Sequence, residues 1–427
     1  MKAIKILMTT VVAMIFLSSC DDKIDNSLNY YTPHFSITLP DNLSSAKTIK
    51  ESFEVKNVST GRTTTYSARE DVNLKVGLYD ITYEAEMSVT GDSVEHRVTA
   101  FNQSVELTSA NQLVKMQAYE SMENEDFVIQ EIFFTGTLQS SGNQYNGDDY
   151  IILYNNTDHV LYADGLTLLE SYFTTTQKYN YTPNIMDEAM TVQALYTIPG
   201  SGKEHPVQPG ESLKIADTGI DHRVANPNSF DLSDADFEWY DVSNVASQMD
   251  IDGPNVPNLD KWYCYTNSFY VLHNRGFKAW AIARIPKSKE EYLNNYRYTF
   301  TYEVVVPAGS YPMSQTKYYI PNEWIVDAVN CSVASEYAWN VTSPSLDRGW
   351  TYCGTMDHDK TRYFHSVRRK MLYLKDGKPV LKDTNNSAED FNPYCIPSEI
   401  ERQGTAIDMN GTKCTTQTWD GVTPKNN

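Results

Sequence analysis

The sequence has little positive charge and lacks the motifs of common enzyme classes. It carries 35 Lys and Arg against 55 Asp and Glu, a net charge of −20 over 427 residues. A surface this acidic repels phosphate backbones, so we expect no nucleic-acid binding. The G-x-S-x-G and H-E-x-x-H motifs of many hydrolases and metalloproteases are absent. No internal repeat of fixed period is present, which disfavours a propeller or solenoid.

The composition is that of a folded, mainly β protein. Hydrophobic residues make up 41% of the chain, which is enough to bury a core. Aromatic residues account for 12%, with 30 tyrosines among them, and aromatic side chains are enriched in strands. The length favours two domains, or three.

One apolar stretch lies at the N-terminus. Lys2 and Lys5 begin a segment whose residues 6–17 are mostly apolar. This run is too short to span a bilayer comfortably and fits a signal peptide. It ends in LSSC, whose last residue is Cys20. The ending resembles the lipobox of bacterial lipoproteins, which implies removal of residues 1–19 and lipid attachment at Cys20. The alternative is an ordinary signal peptide with an incidental cysteine.

The residues that follow Cys20 bear on the location of the anchor. Asp21 and Asp22 come directly after it. Acidic residues there resemble the surface-export signal of Bacteroidetes lipoproteins, whereas an Asp there can retain lipoproteins at the inner membrane in other Gram-negative bacteria. The acidic, Asn- and Tyr-rich chain fits the first case better. We therefore expect a lipid-anchored protein on the surface of the outer membrane, with residues 20–33 as its tether.

Five further cysteines lie in the last two fifths of the chain. They are Cys264, Cys331, Cys353, Cys395 and Cys414. An exported compartment permits disulfides. Because five is odd, at most two bridges can form within one chain, and the sequence leaves their pairing open. No Cys-x-x-Cys or Cys/His spacing is present, so a structural zinc site is not expected.

Short strand-like segments predict a small N-terminal sandwich over residues 34–120. Phe53 and Val55 alternate with polar neighbours, and further short segments follow, separated by turns. The region resembles transthyretin-like or immunoglobulin-like sandwiches of surface proteins. Residues 120–126 are acidic and lack a strand pattern, so we place the domain boundary there.

The second domain, residues 124–427, resembles an interrupted lamin-tail-like domain. The resemblance rests on FVIQEIFFTG, GDDYIILYNN and HPVQPGESLKIAD, and on closing segments that contain SVRR and DTNNSAEDF. It implies a β-sandwich that carries a large α+β insertion at about 217–363. Within the insertion we expect helices at 232–240 and at 288–296, the second capped by Ser288. The whole architecture resembles an uncharacterised Bacteroidetes lipoprotein family with a domain of unknown function.

Two acidic segments are candidate metal ligands. Asp234, Asp236 and Glu238 alternate along one segment, and Asp250 and Asp252 along another. Calcium takes roughly six to eight oxygen ligands, some of which these carboxylates could supply. Neither segment has the complete calcium-loop pattern, so calcium stays a candidate cofactor and solvated acidic loops are the alternative.

Asp357, His358 and Asp359, with His365 beyond them, form a second chemical candidate. Carboxylates beside a histidine can perform acid–base work or bind a metal. Surface loops also produce such triplets by chance, and that is the alternative.

A group of tyrosines in the insertion is a candidate ligand-stacking surface. If exposed, these rings would stack on sugars or on an aromatic chelate. Cross-strand pairing within a sheet is the alternative. The group consists of Tyr292, Tyr296, Tyr298, Tyr302, Tyr318 and Tyr319.

These features predict a non-catalytic binding or accessory module. The resemblance and the predicted location together suggest a nutrient-capturing partner of a TonB-dependent transporter, with a glycan, a metal chelate or a protein as cargo. One alternative is a secreted-type hydrolase with paired carboxylates in the insertion. Another is a purely structural surface module, which would have no ligand-sized pocket.

The lipid anchor can be tested at one residue. Cys20→Ala removes the only thiol that the predicted lipobox offers for acylation. Because buried acyl chains supply the membrane affinity, we expect the variant to leave the membrane fraction and become soluble, as judged by fractionation and immunoblotting. Cys264→Ala is the control. Tight membrane association of Cys20→Ala would contradict the prediction.

Overall fold

The structure is a computed structural model that describes residues 30–91, 95–121, 125–307 and 309–404. Cys20, the predicted lipid-attachment site, and Cys414 lie outside the described residues. Strands dominate the part of the chain that is described, which confirms the predicted mainly β fold. No helix in that part has the length and apolarity needed to cross a membrane.

The N-terminal domain is a small β-sandwich. Strands β4-β3-β6-β7-β9 form an antiparallel sheet, and β2 pairs with β8 in parallel. Phe35 and Val114 from the pair pack with Phe53 and Ile81 from the sheet in one core, because alternate side chains of each strand point inward. The strands are β1 (Tyr30–Tyr31), β2 (His34–Thr38), β3 (Lys47–Asn57), β4 (Thr63–Tyr66), β5 (Leu74–Lys75), β6 (Gly77–Ser88), β7 (Glu95–Leu107), β8 (Leu113–Gln117) and β9 (Tyr119–Ser121).

The remaining described residues form the body, which has short helices among many strands. The strands are β10 (Phe127–Phe133), β11 (Tyr150–Asn155), β12 (Leu161–Tyr162), β13 (Leu166–Ser171), β14 (Ala189–Thr197), β15 (Pro206–Val207), β16 (Ser212–Ala216), β17 (Phe237–Glu238), β18 (Asp260–Cys264), β19 (Ala279–Arg284), β20 (Arg297–Val306), β21 (Gly309–Pro321), β22 (Ile325–Asn330), β23 (Ser366–Arg369), β24 (Met371–Lys375), β25 (Lys378–Leu381) and β26 (Phe391–Cys395). The helices are α1 (Lys289–Asn295), α2 (Ser387–Asp390) and α3 (Ser398–Gln403).

Two sheets pack face to face in the body. The first sheet has the order β17-β16-β11-β10-β23-β26, and the second has the order β20-β21-β14-β13-β19-β22 with β18 beside β14. Ile151 and Leu153 of the first sheet share a buried core with Leu168 and Ile282 of the second. The body is therefore a β-sandwich, as the sequence predicts.

The predicted insertion builds much of this sandwich. Strands β18 to β22 all lie within residues 217–363 and belong to the second sheet, where only β13 and β14 come from earlier in the chain. The segment thus forms a layer of the body and does not fold apart from it. Its strands pair with β13 and β14, whose side chains are buried throughout.

The two helices expected in the insertion have different outcomes. The prediction at 288–296 is confirmed: α1 begins after Ser288, whose hydroxyl accepts a hydrogen bond from the Glu291 amide. The prediction at 232–240 is wrong, because this segment is a turn followed by the short strand β17, which pairs in parallel with β16. Phe237 and Trp239 alternate inward along it, which is the period of a strand.

A buried arginine joins the two sheets. Arg369 of β23 donates to the Asp327 carboxylate of β22 at 2.5 Å and to the Ile129 carbonyl of β10 at 2.8 Å. The Ile129 amide also donates to Asp327. The guanidinium forms further ion pairs with Asp383 at 3.1 Å and Asp390 at 3.8 Å. We call these four charged side chains the Arg369 hub.

Loss of the guanidinium should destabilise the body strongly. Arg369→Met leaves three buried carboxylates without their cation, and breaking a buried pair in this way costs about 3–5 kcal/mol. We expect that loss in the free energy of unfolding from urea titration at pH 7. The control is Arg223→Met, whose pairs with Asp221 and Asp231 lie at the surface and should contribute little to stability, because solvent screens them. Equal losses in the two variants would contradict the role of the hub.

Candidate functional site

The N-terminal sandwich contacts a hairpin of the body. Strands β24 and β25 form this hairpin directly after the Arg369 hub. Tyr373 of the hairpin stacks on Phe101 of β7 with ring centroids 5.3 Å apart, and Lys375 lies over the same Phe101 ring. Lys56 and Asp376 add an ion pair at 3.7 Å. These contacts set the position of one domain against the other.

A cleft of about 590 Å³ lies at this junction. We call it the interdomain cleft. Both domains contribute polar side chains to its walls. The N-terminal wall includes Asp41, Asn42, His96, Gln117 and Glu120, and the body wall includes Arg348, Lys382, Thr384, Asn386 and Glu389. Two smaller cavities, of about 360 and 400 Å³, lie along the β24–β25 hairpin.

The N-terminal wall is organised around one carboxylate. Glu120 Oε1 lies 2.6 Å from His96 Nδ1, and Glu120 Oε2 accepts a hydrogen bond from the Asn42 amide at 3.0 Å. His96 belongs to β7, whereas Asn42 follows β2, so Glu120 ties the two together. These bonds hold the imidazole, the amide and the carboxylate in fixed positions before any ligand binds.

The Arg369 hub positions the body wall through hydrogen bonds to Asp390. Asp390 accepts hydrogen bonds from the amide and the hydroxyl of Thr384, both at 2.8 Å. Arg348 donates to the Thr384 carbonyl at 2.9 Å, which fixes its guanidinium at the wall. Asn386 caps α2 by accepting from the Ala388 amide, and Lys382 lies 3.3 Å from Glu389.

The charges in the cleft nearly cancel. Three carboxylates, from Asp41, Glu120 and Glu389, face the cations of Arg348 and Lys382 and the His96 ring. This local balance contrasts with the net charge of −20 on the whole chain. Such walls offer many hydrogen-bond donors and acceptors and suit a polar ligand of small net charge better than an apolar one.

The predicted tyrosine surface forms an aromatic cluster that is partly core. Tyr292 is fully buried, so it cannot stack on a ligand, and its hydroxyl donates to the Tyr319 carbonyl. Tyr296 stacks on Tyr292, with centroids 5.4 Å apart. The cause is the short helix α1, which lays Tyr292 against β21 and into the core of the second sheet.

The other predicted tyrosines are half-buried and bonded to protein neighbours. Tyr298 shares a hydrogen bond with Thr191 at 2.7 Å, and burial raises the pKa of its phenol to about 12. Tyr302 packs on Tyr179, with centroids 4.6 Å apart. Tyr318 packs on Tyr263 in the same way. A stacking role for the partly exposed rings stays a prediction.

The predicted calcium ligands do not form one loop. Asp234 pairs with Lys214 at 2.6 Å and with Arg402 at 2.9 Å. Glu238 accepts hydrogen bonds from the Gly219 and Gly253 amides. The other three also have protein donors: Asp236 accepts from the Lys214 amide, Asp250 from the Asp241 amide and Asp252 from Asn258.

One group of three residues in the described part of the chain has metal-ligand spacing, namely Asp164, Glu204 and His205. Asp164 accepts hydrogen bonds from three backbone amides, of Gly202, Glu204 and His205. These bonds lower the pKa of Asp164 and explain its position as the anchor of a turn.

The acid–base candidate around His358 is only partly assembled: His358 Nε2 lies 3.5 Å from an Asp357 carboxylate oxygen, but Asp359 and His365 are bonded elsewhere. Asp357 binds Arg275 at 2.7 Å, and Asp359 caps a turn by accepting from the Thr355 and Thr361 amides. His365 instead stacks on Tyr394, with centroids 3.9 Å apart. These side chains do not converge on a common point.

Three of the cysteines are free thiols: Cys264, Cys331 and Cys353. Burial raises the pKa of Cys331 and Cys353 well above the usual value for a thiol. No disulfide therefore joins these three residues to one another, and they lie in or against the sandwich core.

The sequence does not identify the cleft residues as a group, because they are scattered over 350 positions of a polar sequence. Thr384, Asn386 and Glu389 lie in the segment DTNNSAEDF, which resembles a lamin-tail-like closing segment but does not by itself indicate a cleft. A dense run of short polar residues between two strands was the available signal.

Residues 208–398 match a family described as "Protein of unknown function (DUF4876)". The match covers the body wall of the cleft and the Arg369 hub. A DUF4876 family protein from Bacteroides thetaiotaomicron VPI-5482, known from a crystal structure, is similar to this chain with a TM-score of 0.58 and 18% identity. The alignment covers 89% of this chain and 98% of that chain. No curated protein matches the chain.

The comparisons confirm part of the expected relationship. The chain resembles an uncharacterised family that has a Bacteroides member, as the sequence indicates. At 18% identity the similarity shows a shared fold and nothing finer. The lipoprotein and lamin-tail-like features stay predictions.

The core position of Tyr292 has a measurable consequence. Tyr292→Ala should lower the free energy of unfolding by about 3–5 kcal/mol, the usual cost of removing a buried aromatic ring. Tyr302→Ala removes a half-buried ring from the same cluster and should cost less than half as much. Urea titrations of both variants provide the comparison. A larger loss for Tyr302→Ala would show that the cluster is not organised around Tyr292.

Proposed function

We propose that this protein is a non-catalytic binding protein, held at the outer-membrane surface by a lipid on Cys20, that captures a polar ligand in the interdomain cleft. The observation that carries the proposal is the cleft itself, about 590 Å³ in volume and lined by both domains. Ligand sites occur preferentially at such domain interfaces and have volumes of roughly 300–1,000 Å³.

The chemistry of the cleft favours a glycan over the other cargoes that we considered. Amides, carboxylates and a guanidinium offer hydrogen bonds in both directions, which hydroxyl groups can satisfy as donors and as acceptors. Because the charges on the cleft walls nearly cancel, the cleft does not require a charged ligand and can accept a neutral sugar. A metal chelate or a protein would make less use of such walls.

The pairing of the cleft carboxylates supports binding rather than hydrolysis. A glycosidase needs one carboxyl that holds a proton and one that stays ionised. Glu120 is already bonded to His96 and Asn42, and Glu389 lies beside Lys382. The carboxyl of Asp390, whose pKa burial raises to about 6, lies behind the body wall. The volume of the cleft in turn argues against a purely structural module.

The partnership with a TonB-dependent transporter is part of the same proposal. Among the described residues, strands β20 and β21 pair only with each other over residues 302–306 and 309–313, so their hairpin extends past the second sheet. Its end exposes Val305, Val306, Tyr311 and Met313. An exposed apolar strand pair of this kind supports contact with another protein.

Glycan binding in the cleft can be tested by removing one side chain from the body wall. A panel of neutral oligosaccharides identifies a ligand, and calorimetry then measures its affinity. Arg348→Ala should weaken binding at least about tenfold, because a hydrogen bond from a charged group contributes about 1.5–3 kcal/mol. Arg62→Ala, an exposed arginine that does not line the cleft, should bind like the wild type.

Two outcomes would count against the proposal. Unchanged affinity of Arg348→Ala, with its fold confirmed by circular dichroism, would place the ligand elsewhere. Release of new reducing ends from the bound glycan by the wild-type protein would favour the hydrolase alternative.

A further inference from the structure

Two carboxylates face each other where the first sheet of the body ends. Tyr150 at the start of β11 pairs with Ala216 at the end of β16. The ladder continues one step further, because the Asp217 amide donates to the Asp149 carbonyl at 2.8 Å. Asp149 and Asp217 are therefore directly opposite each other on neighbouring antiparallel strands.

Both carboxylates point into the sandwich. Ile151 and Ile215 belong to the core between the sheets. Since side chains alternate along a strand, Asp149 and Asp217 lie on that same inner face. Their exposed fractions are 2% and 3%. Like charges placed directly across a ladder repel each other, and burial strengthens the repulsion.

Each carboxylate has one oxygen that the protein leaves unsatisfied, although the Gly136 amide bonds Asp149. Asp149 Oδ1 and Asp217 Oδ2 are buried and have no hydrogen-bond partner in the described part of the chain. The indole Nε1 of Trp239 is in the same condition. Trp239 follows β17 and its amide donates to the Ala216 carbonyl, which places it beside Asp217. The two unpartnered carboxylate oxygens indicate a missing cation or water, whereas the indole N–H can only donate and indicates a missing water.

The surroundings add negative charge and little positive charge. Burial raises the pKa of Asp217 well above its usual value, and Asp149, Asp250, Asp148 and Asp241 raise it further. Lys261 lies 2.7 Å from Asp241 and serves that carboxylate.

The histidine nearby does not supply the missing charge. His222 Nε2 donates to the Thr218 carbonyl and its Nδ1 accepts from Tyr145, so both ring nitrogens are used by the neutral form. Burial lowers the pKa of His222, which keeps it neutral. Unlike Asp149 and Asp217, Asp148 has protein donors for both carboxylate oxygens, since it accepts hydrogen bonds from Thr137 and Ser229.

We propose that Asp149 and Asp217 bind a divalent cation, of which Ca²⁺ is the best match, at this end of the sandwich. Hard oxygen ligands are what Ca²⁺ prefers, and one divalent ion neutralises two carboxylates whereas one proton neutralises one. Two carboxylates leave the rest of the coordination to backbone carbonyls and water.

The local backbone is held in place for such a site. Glu238 accepts hydrogen bonds from the Gly219 and Gly253 amides, and so fixes the segment after Asp217 against the loop at 250–253. Asp250 accepts from the Asp241 amide at 2.8 Å, which closes that loop. The acidic segments predicted as calcium ligands thus hold the backbone next to a different pair of carboxylates, Asp149 and Asp217.

The test uses the full chain after treatment with EDTA and gel filtration. Adding CaCl₂ to about 1 mM, the range of extracellular calcium modules, should raise the melting temperature of the wild type, and MgCl₂ should raise it less. Tb³⁺ should bind with luminescence sensitised by Trp239 and be displaced by Ca²⁺. Asp217→Asn and Asp149→Asn should each weaken Tb³⁺ binding at least about tenfold. Asp158→Asn, whose carboxylate is exposed, is the control.

A shared proton is the competing explanation. A carboxyl whose pKa is raised by folding stabilises the protein as pH falls through that pKa. If no Ca²⁺ shift is seen in the wild type, and if metal-free Asp217→Asn is more stable than the wild type at pH 7 but not at pH 5, the pair is protonated and the proposal is wrong. Sensitised Tb³⁺ binding that survives in both Asn variants would overturn it as well.

Discussion

The salt bridge between Arg369 and Asp327 is the interaction on which the body depends. Arg369 belongs to the first sheet and Asp327 to the second, and both also bond the backbone of Ile129. Taking these charges out of water is costly, so the arrangement is favourable only when every partner is in place. A slip of either strand by one residue would turn its charged side chain to the other face of the sheet and leave the partner buried alone. The bridge therefore fixes how the two sheets meet.

The position of the interdomain cleft follows from the same bridge. Asp383 and Asp390 contact the Arg369 guanidinium from the segment that forms the body wall. The β24–β25 hairpin, which carries the N-terminal sandwich through Tyr373 and Phe101, begins two residues after Arg369. One buried cation thus orients both the wall of the cleft and the support of the opposite domain. A cleft wall made of loops acquires defined geometry in this way.

Local sequence patterns predicted those elements whose formation depends on neighbouring residues in the chain. Ser288 before Glu290 and Glu291 marked α1, because a hydroxyl cap and acidic first-turn residues stabilise a helix start. The role of Arg369 could not be predicted, since its partner Ile129 is 240 positions away. The helix predicted at 232–240 is wrong for the same reason. The strand in this segment forms by pairing with β16, and this tertiary contact overrides the local helix propensity. The interdomain cleft likewise exists only after two domains have packed.

The body handles buried charge in two different ways. At the Arg369 hub the chain supplies its own cation, which pairs with three carboxylates without an ion from solution. At Asp149 and Asp217 two buried carboxylates lie opposite each other and each has an oxygen without a partner, while Lys261 pairs with Asp241. Mutual repulsion across a ladder pair must then be removed from outside, by an ion or by a proton. That end of the sandwich therefore needs a partner from solution for its charge, whereas the hub needs no added ion.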